Sequence, residues 1–354
     1  MKSNLKFFKN LKSIPIDNFF SNVLYNKKFG YYSNNYPFGK KGDFITAPTL
    51  SKLFSEIVSI WIVSTWEVLG KPKNINIVEL GPGDGSLVKI LLETSKKFPK
   101  FDLAKKIYLY ESNNLLKIIQ KKNIKNNRVK WLKDFSKLKN GPVIFFGNEF
   151  FDSIPIKQFK RTKNTIFEKY FILKKDTKIL ETFKKAKQGD INIIKSYKVF
   201  KKLKFIEFPK SGLKILEKVA KTITRQNGCI LMIDYGYLKP NNQNTLQSVM
   251  NNKKNNLLSN LGKADITYHV NFSLLKEFFL KKNLVTNRVV TQEKFLKNMG
   301  IIERAEMLSG KMKFKEQTNL YLRLKRLISP KLMGELFKVI LAFKSEKDKY
   351  LGFN

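Results

Sequence analysis

A glycine-rich segment carries the clearest chemical signal in the sequence, at Val78-Glu79-Leu80-Gly81-Pro82-Gly83-Asp84-Gly85. Glycine lets the backbone turn sharply and touch a ligand, and the helix expected after the segment offers free N–H groups and the positive end of its dipole. The segment therefore predicts a site for a nucleotide-like ligand with a carboxylate or a phosphate. The residues expected to contact that ligand are Glu79, Gly81, Pro82, Gly83 and Gly85.

The spacing of these glycines favours S-adenosylmethionine over NAD as the ligand. A dinucleotide fingerprint has its third glycine five positions after the first, but position 86 is a serine and the third glycine is Gly85. Glu79 lies two residues before the first glycine and completes the pattern acid-x-Gly-x-Gly-x-Gly. That pattern is typical of class I methyltransferases, in which this region binds the methionine part of the cofactor.

Two further acids follow apolar runs and could bind the nucleoside. Glu111 ends the run Leu109-Tyr110-Glu111, where its carboxylate could accept both ribose hydroxyls. Asp134 follows the next run and could accept a hydrogen bond from the adenine amino group. For each of these two acids the sequence also allows the alternative that it is a solvated residue in a loop.

Several polar residues follow the buried run at residues 142–147 and would lie at the carboxyl edge of the sheet, beside the cofactor. Carboxylates at that edge could hold a basic acceptor by charge-assisted bonds and take up the proton that it loses on methylation. Glu149 is the first candidate for that role, Asp152 the second, and Asn148 is expected to face the methyl group. Asn148 and Asp152 could instead cap the turn.

The elements that position these residues alternate after residue 74, which predicts βαβ units and a parallel sheet. We expect strands at residues 75–80, 106–111, 128–132, 142–147, 229–234 and 336–343. Helices are expected at 50–69, 86–97 (closed by Pro99), 211–226, 272–281, 291–299 and 316–328, with another one ending at 120. The predicted fold class is α/β, with a class I methyltransferase Rossmann-like doubly wound sheet.

Three segments lie outside this alternation of strands and helices. Residues 1–70 are expected to form an amino-terminal helical extension packed on a methyltransferase domain at 71–354. Insertions are expected near 156–210 and 238–271. The first would begin with a hairpin at 156–174, turning at Lys163-Asn164, and continue irregularly to residue 210; the second would contain a mobile excursion at 238–262.

Composition limits the function class. The formal net charge is +41, but the lysines are scattered, which favours a neutral compositional bias and leaves binding of RNA or an acidic partner as the alternative. No apolar run reaches the roughly 18 residues of a membrane-spanning helix. A single cysteine, Cys229, and a single histidine, His269, do not suffice for a zinc cluster, so we expect no metal. The bacterial cytoplasm is the simplest location.

Several blocks of residues together resemble one known family. They are Gly30-Tyr31-Tyr32, Gly39, Gly42-Asp43-Phe44-Ile45-Thr46-Ala47-Pro48, Asn148-Glu149-Phe150-Phe151-Asp152-Ser153-Ile154-Pro155, Asp234-Tyr235-Gly236 and Ala264-Asp265-Ile266-Thr267-Tyr268-His269-Val270-Asn271-Phe272. In type and order they resemble the MidA-type methyltransferases, from about residue 10 to the end. Asp84 departs from the family, which often has arginine there.

The resemblance implies binding of S-adenosylmethionine and methylation of protein arginine, with a respiratory complex I subunit as partner. It also implies that Asp43 and Thr46, with Tyr31 and Tyr32, close over the cofactor, and that a eukaryotic member would be in the mitochondrial matrix. His269 lies in a family-like block and could be a base, although a lone histidine is more often structural. Alternatives are a methyltransferase for RNA or another substrate, a catalytically silent assembly factor and an NAD-dependent oxidoreductase.

Overall fold

A mixed β-sheet forms the centre of the computed structural model, which describes residues 4–9, 11–34, 46–175, 178–345 and 349–353. The strands are β1 (Ser13–Pro15), β2 (Ile75–Leu80), β3 (Lys105–Tyr110), β4 (Lys130–Leu132), β5 (Val143–Asn148), β6 (Lys157–Arg161), β7 (Ile166–Lys174), β8 (Lys178–Lys185), β9 (Phe205–Phe208), β10 (Gly228–Tyr237), β11 (Gln247–Met250), β12 (Lys253–Asn255), β13 (Asp265–Thr267), β14 (Val270–Asn271), β15 (Val285–Thr286), β16 (Val290–Thr291) and β17 (Phe337–Phe343).

Helices cover this sheet and its neighbours. They are α1 (Ile16–Tyr25), α2 (Tyr31–Asn34), α3 (Ala47–Leu50), α4 (Lys52–Val68), α5 (Ser86–Ser95), α6 (Pro99–Ala104), α7 (Asn114–Ile124), α8 (Gln188–Ser196), α9 (Lys210–Gln226), α10 (Phe272–Lys281), α11 (Gln292–Asn298), α12 (Ile301–Ser309) and α13 (Phe314–Ile328). None of the helices in these ranges is long and apolar enough to cross a membrane.

The central sheet has the strand order β15-β17-β10-β5-β2-β3-β4. Strands β2, β3, β4, β5 and β10 are parallel, and β17 runs antiparallel to β10. Successive side chains of a strand point to opposite faces, so Ile77 joins a core with Trp61 of α4, whereas Val78 joins a second core with Leu216 of α9. Both faces of the sheet are therefore buried, and the carboxyl ends of the parallel strands lie along one edge.

The predicted strands at 75–80, 106–111, 128–132, 142–147, 229–234 and 336–343 are confirmed with small shifts of their ends. Pro99 behaves differently from the expectation. It does not simply close the preceding helix: α5 ends at Ser95, and Pro99 begins α6, because proline at the first helical position loses no hydrogen bond.

The hairpin expected at 156–174 is confirmed as β6 and β7, but the expectation of irregular structure up to residue 210 is wrong. This stretch holds β8, α8 and β9, and β8 extends a second sheet of order β1-β7-β6-β9 by pairing with β7. Strand β8 has no buried residue. Main-chain hydrogen bonds to β7 hold this strand in place. The hydrophobic pattern of the sequence does not reveal such bonds, because they do not depend on apolar side chains.

The expected mobile excursion at 238–262 is wrong for residues 247–255, where β11 pairs with both β12 and β13. The amino-terminal helix α1 packs on the same region. Its Phe19 lies 4.9 Å from Phe171 of β7 between ring centroids, and both belong to a cluster with Ile266 of β13. Residues before the central sheet thus pack on β7 and β13, which come much later in the chain.

Candidate active site

A cavity of about 290 Å³ opens at the carboxyl ends of β2, β3 and β5, where parallel α/β sheets bind their ligands. The described residues that line it come from the ends of these strands and the turns after them, from β13, and from α1, α2, α3, α5, α7 and α9. They are Tyr25, Tyr32, Thr46, Pro48, Glu79, Gly81, Pro82, Gly83, Asp84, Leu87, Tyr110, Glu111, Ser112, Asn113, Leu116, Asn148, Glu149, Phe150, Asp152, Ser153, Ile154, Pro155, Ile215 and Asp265.

The glycine segment forms the floor of the cavity between β2 and α5. Gly81, Gly83 and Gly85 have φ values of 64°, 54° and 84°, a region that other residues rarely adopt. A Cβ on Gly81 would lie 2.8 Å from the ring of Phe150, so this turn also requires glycine for space. Gly81, Pro82 and Gly83 line the cavity, whereas Gly85 is not among the lining residues and precedes α5.

Gln120 of α7 joins this turn by hydrogen bonds to the residue that follows β3. Its Nε2 donates to the carbonyl of Gly83 at 2.8 Å and to Glu111 Oε2 at 3.3 Å, and its Oε1 accepts from Trp131 Nε1 at 2.8 Å. The side chain is fully buried. Sequence reasoning missed this role, because a glutamine near the end of a helix is ordinary and its partners lie elsewhere in the chain.

Glu79 is buried beneath the turn, with 4% of its surface exposed. Its Oε2 has no hydrogen-bond partner among the described residues. Burial raises the pKa of Glu79 to about 8, and the charge of Asp84 adds to this effect. An unpartnered carboxylate oxygen beside a cavity suits a cationic donor such as the amino group of a methionine moiety.

Glu111 follows β3 and lines the cavity. Its Oε1 accepts from the main-chain N–H of Asn113 at 2.7 Å, and burial raises the pKa of its carboxyl. Asp134 does not line the cavity. Its carboxylate is exposed and accepts bonds from the main chain and hydroxyl of Ser136, so its predicted contact with adenine stays a prediction.

Glu149 occupies a strained position just after β5. Its φ of 51° is uncommon for a residue with a side chain, and its main-chain N–H donates to the carbonyl of Ile233 at 2.9 Å. The carboxylate accepts from Asn148 Nδ2 at 2.9 Å and from the main-chain N–H of Ala47. Burial, with repulsion from Asp152, raises the pKa of Glu149 to about 8.

Asp152 lies three residues further on and lines the same cavity. Its Oδ2 accepts from the hydroxyl of Tyr235, whereas Oδ1 is buried with no hydrogen-bond partner among the described residues. Asp234 Oδ2 accepts from the main-chain N–H groups of Phe151 and Asp152 at 3.0 and 3.3 Å. Asp234 and Tyr235 thus fix this turn; they lie in a family-like block, but the sequence assigned them no role.

Of the other residues that the sequence predicted for the site, some line the cavity and others do not. Thr46 lines the cavity with Tyr32, whereas Tyr31 is buried in the amino-terminal cluster and Asp43 lies outside the described residues. His269 is not among the lining residues; its ring packs against Tyr235 at 5.6 Å between centroids, and burial lowers its pKa. Among the described residues no group of histidines, cysteines and acids could hold a metal ion.

Acidic residues line the cavity, although the chain as a whole is strongly basic. Six acids line it, of 28 in the sequence, although the net charge is +41. No lysine, arginine or histidine stands among the lining residues in the described ranges. The cavity therefore suits ligands with positive charge, both a sulfonium cofactor and a basic acceptor.

Known proteins resemble this chain over much of its length. A family model described as "Putative S-adenosyl-L-methionine-dependent methyltransferase" matches residues 57–290. The chain belongs to this family. The resemblance to MidA-type methyltransferases and the choice of S-adenosylmethionine as cofactor are thereby confirmed.

Curated relatives of this methyltransferase cover most of its length. The "Protein arginine methyltransferase NDUFAF7, mitochondrial" of Xenopus tropicalis is 28% identical, over 86% of this chain and 76% of that protein. The human protein of the same name is 26% identical, over 93% of this chain and 80% of its own length.

A solved structure shows the same fold. The crystal structure of a protein from Burkholderia thailandensis bound to S-adenosyl-homocysteine superposes with a TM-score of 0.82, at 21% identity, over 98% of this chain and 91% of that one. The α/β fold with a mixed sheet is thus shared with a protein that was crystallised with the demethylated cofactor.

Proposed function

We propose that this methyltransferase transfers a methyl group to a guanidinium nitrogen of arginine in a protein. The observation that carries the proposal is the acidic half of the cavity, where Glu149 and Asp152 lie side by side with no cation among the described lining residues. The names of the curated relatives, which are protein arginine methyltransferases, support the same acceptor. We also infer that the sheet is the doubly wound Rossmann-like sheet of class I methyltransferases.

The donor half of the cavity fits S-adenosylmethionine. Gly81 and Gly83 would let the backbone approach the methionine part, the free oxygen of Glu79 would accept from its amino group, and Glu111 would accept the ribose hydroxyls. When bound, the cofactor would supply a methyl group from its sulfonium, whose sulfur would leave as the neutral thioether of S-adenosylhomocysteine. The task of the surrounding residues is to align the acceptor and to exclude water.

Glu149 would hold and deprotonate the acceptor. A guanidinium beside it would lower the raised pKa of Glu149, so the carboxylate would be charged when arginine is bound. Charge-assisted bonds from the guanidinium to Glu149 and to Oδ1 of Asp152 would orient one nitrogen toward the methyl group. As the new bond forms, the proton of that nitrogen would pass to the carboxylate of Glu149. Asn148 would keep Glu149 in position through its 2.9 Å bond.

We propose a respiratory complex I subunit, or a related protein, as the substrate, in the bacterial cytoplasm or, in a eukaryote, in the mitochondrial matrix. We further propose that residues 1–70 form an extension packed on a methyltransferase domain at 71–354, which has insertions near 156–210 and 238–271. Tyr32 of the extension and Asp265 of the second insertion line the cavity, so both segments reach the site.

Methyl transfer from labelled S-adenosylmethionine tests the proposal. The purified enzyme is incubated with the large peripheral-arm subunits of complex I and, separately, with total RNA, and the products are digested and analysed by mass spectrometry. The proposal expects labelled methylarginine in a protein subunit. Label on RNA but never on arginine would favour the alternative of an RNA methyltransferase and would contradict the proposal.

A further inference from the structure

Two tyrosines from the amino-terminal segment form part of the cavity wall. The rings of Tyr25 and Tyr32 stack with centroids 5.3 Å apart and an interplanar angle of 10°. The hydroxyl of Tyr25 donates to the carbonyl of Ser153 at 2.8 Å, and the hydroxyl of Tyr32 donates to Oδ2 of Asp265 at 3.0 Å. The stack is therefore anchored at both hydroxyls, once to the turn after β5 and once to β13.

Asp265 brings a carboxylate to this wall from a different part of the chain. It begins β13, its surface is 2% exposed, and it lines the cavity. Oδ1 of Asp152, in the same cavity, is buried with no hydrogen-bond partner in the described part of the chain. Tyr25, Asp152 and Asp265 line the same cavity, and the charges of both carboxylates add to the effect of burial, which raises the pKa of the Tyr25 hydroxyl.

We propose that Tyr25, Tyr32, Asp265 and Asp152 form an acceptor subsite that selects a planar guanidinium over the ammonium of lysine. This inference rests on the proposed function, whose site it deepens. A guanidinium presents five N–H donors in a flat fork and stacks on aromatic faces, whereas an ammonium is a strongly hydrated point charge. Carboxylates from two elements can engage two edges of a fork while the aromatic rings cover its flat face, whereas an ammonium has no flat face to stack on a ring and loses a stronger hydration shell.

The selectivity is tested with the acetylated and amidated tripeptide Gly-Arg-Gly and its lysine counterpart. Binding of each peptide to the full-length enzyme saturated with S-adenosylhomocysteine is measured by calorimetry, and methyl transfer is measured separately. The subsite predicts that only the arginine peptide binds. It also predicts that Asp265→Asn raises KM for this peptide at least tenfold, with kcat within threefold and the affinity for S-adenosylhomocysteine unchanged.

The stack is tested by two substitutions at one position. Tyr25→Leu removes the aromatic face and should raise KM about as much as Asp265→Asn does. Tyr25→Phe keeps the ring and loses only the hydroxyl, and should retain a KM within threefold of the wild type. Tyr321→Leu, at an exposed tyrosine of α13 outside the cavity, is the matched control and should change neither constant. Thermal melts establish that each variant is folded.

The outcomes separate the subsite from the proposed function. If the wild type methylates arginine but Tyr25→Leu and every folded Asp265 variant keep the wild-type KM, the subsite is wrong and the proposed function stands. Equal binding of the lysine and arginine peptides would also overturn the subsite. If the arginine peptide binds selectively and Asp265→Asn weakens this binding, but no arginine is methylated, the subsite stands and the proposed reaction fails.

Discussion

The side-chain amide of Gln120 donates a 2.8 Å hydrogen bond to the main-chain carbonyl of Gly83. The same nitrogen donates to Glu111, so one buried side chain joins the turn after β2 to the acid after β3. These are the two segments that we expect to hold the methionine part and the ribose of the cofactor. The distance between them is thus fixed before any ligand arrives, which lowers the entropic cost of binding.

Replacement of Gln120 should weaken cofactor binding specifically. Gln120→Leu leaves the Gly83 carbonyl and the Trp131 N–H without their partner, and each unpaired buried group costs about 1 to 3 kcal/mol. We expect Kd for S-adenosylhomocysteine to rise about tenfold or more, with kcat at saturating cofactor within a few-fold, as measured by calorimetry and steady-state kinetics. Gln188→Leu, at an exposed glutamine of α8, is the control. An unchanged Kd would remove Gln120 from the site.

The glycine turn gives a second prediction. Gly83→Val should abolish measurable binding of S-adenosylhomocysteine, because a branched side chain would fill the space that the methionine part needs. Valine at φ of 54° also strains the backbone, so a control must share that strain. Gly70→Val provides it, since Gly70 has φ of 87° and a Cβ at this position would meet nothing within 4 Å. Calorimetry should show binding lost only in Gly83→Val; retention in both variants would contradict the position of the cofactor.

Glu149 should matter for transfer and hardly at all for cofactor binding. Glu149→Gln keeps the shape and the bond to Ala47 but loses the charge that holds a guanidinium and accepts its proton. We expect kcat to fall about a hundredfold or more, with Kd for S-adenosylhomocysteine within threefold. Glu306→Gln, at an exposed glutamate of α12, should leave both unchanged. A Glu149→Gln enzyme with wild-type turnover would exclude Glu149 from the mechanism.

Glu79 should lower the free energy of unfolding of the free enzyme as the pH rises. Its pKa is about 8 in the fold against an ordinary value of 4.5, so the folded state binds the proton more tightly than the unfolded state. The stabilisation is present below pH 4.5 and is lost as the pH rises toward 8. Glu79→Gln has no titrating group at this position, so its stability does not show this decrease with rising pH. The difference in free energy of unfolding between variant and wild type should therefore grow by up to about 1.4 kcal/mol per pH unit over this interval.

Urea denaturation of both proteins from about pH 5 to about pH 8 measures this difference. Because other titrating groups are common to both proteins, their contributions cancel. A difference that does not change with pH would mean that Glu79 is charged in the free enzyme. Saturating S-adenosylmethionine should flatten the trend, since its amino group favours the charged carboxylate.

The strands of the central sheet could be predicted because each is a short, buried apolar run, as in β2 and β5. The polar residues at their ends, Glu79, Glu111 and Glu149, followed from the rule that parallel sheets bind ligands at that edge. Strand β8 could not be predicted, because it has no buried face and is held by its backbone bonds to β7.

The rest of the cavity depends on contacts between distant parts of the chain. Tyr32 meets Asp265, and Tyr235 meets Asp152, through hydrogen bonds that join residues 233 and 83 positions apart. Neither hydrophobic periodicity nor motif spacing contains such pairings. Asp134 likewise follows a strand, but its position there does not reveal that its carboxylate accepts from the main-chain N–H of Ser136.

The most direct measurement is a crystal structure of the enzyme with S-adenosylhomocysteine. We predict the methionine part over the turn of Gly81 and Gly83, the ribose hydroxyls on Glu111, and the sulfur facing the carboxylates of Glu149 and Asp152. Electron density for the ligand elsewhere, or a sulfur directed away from these two carboxylates, would contradict the claim that the donor and a basic acceptor share this cavity.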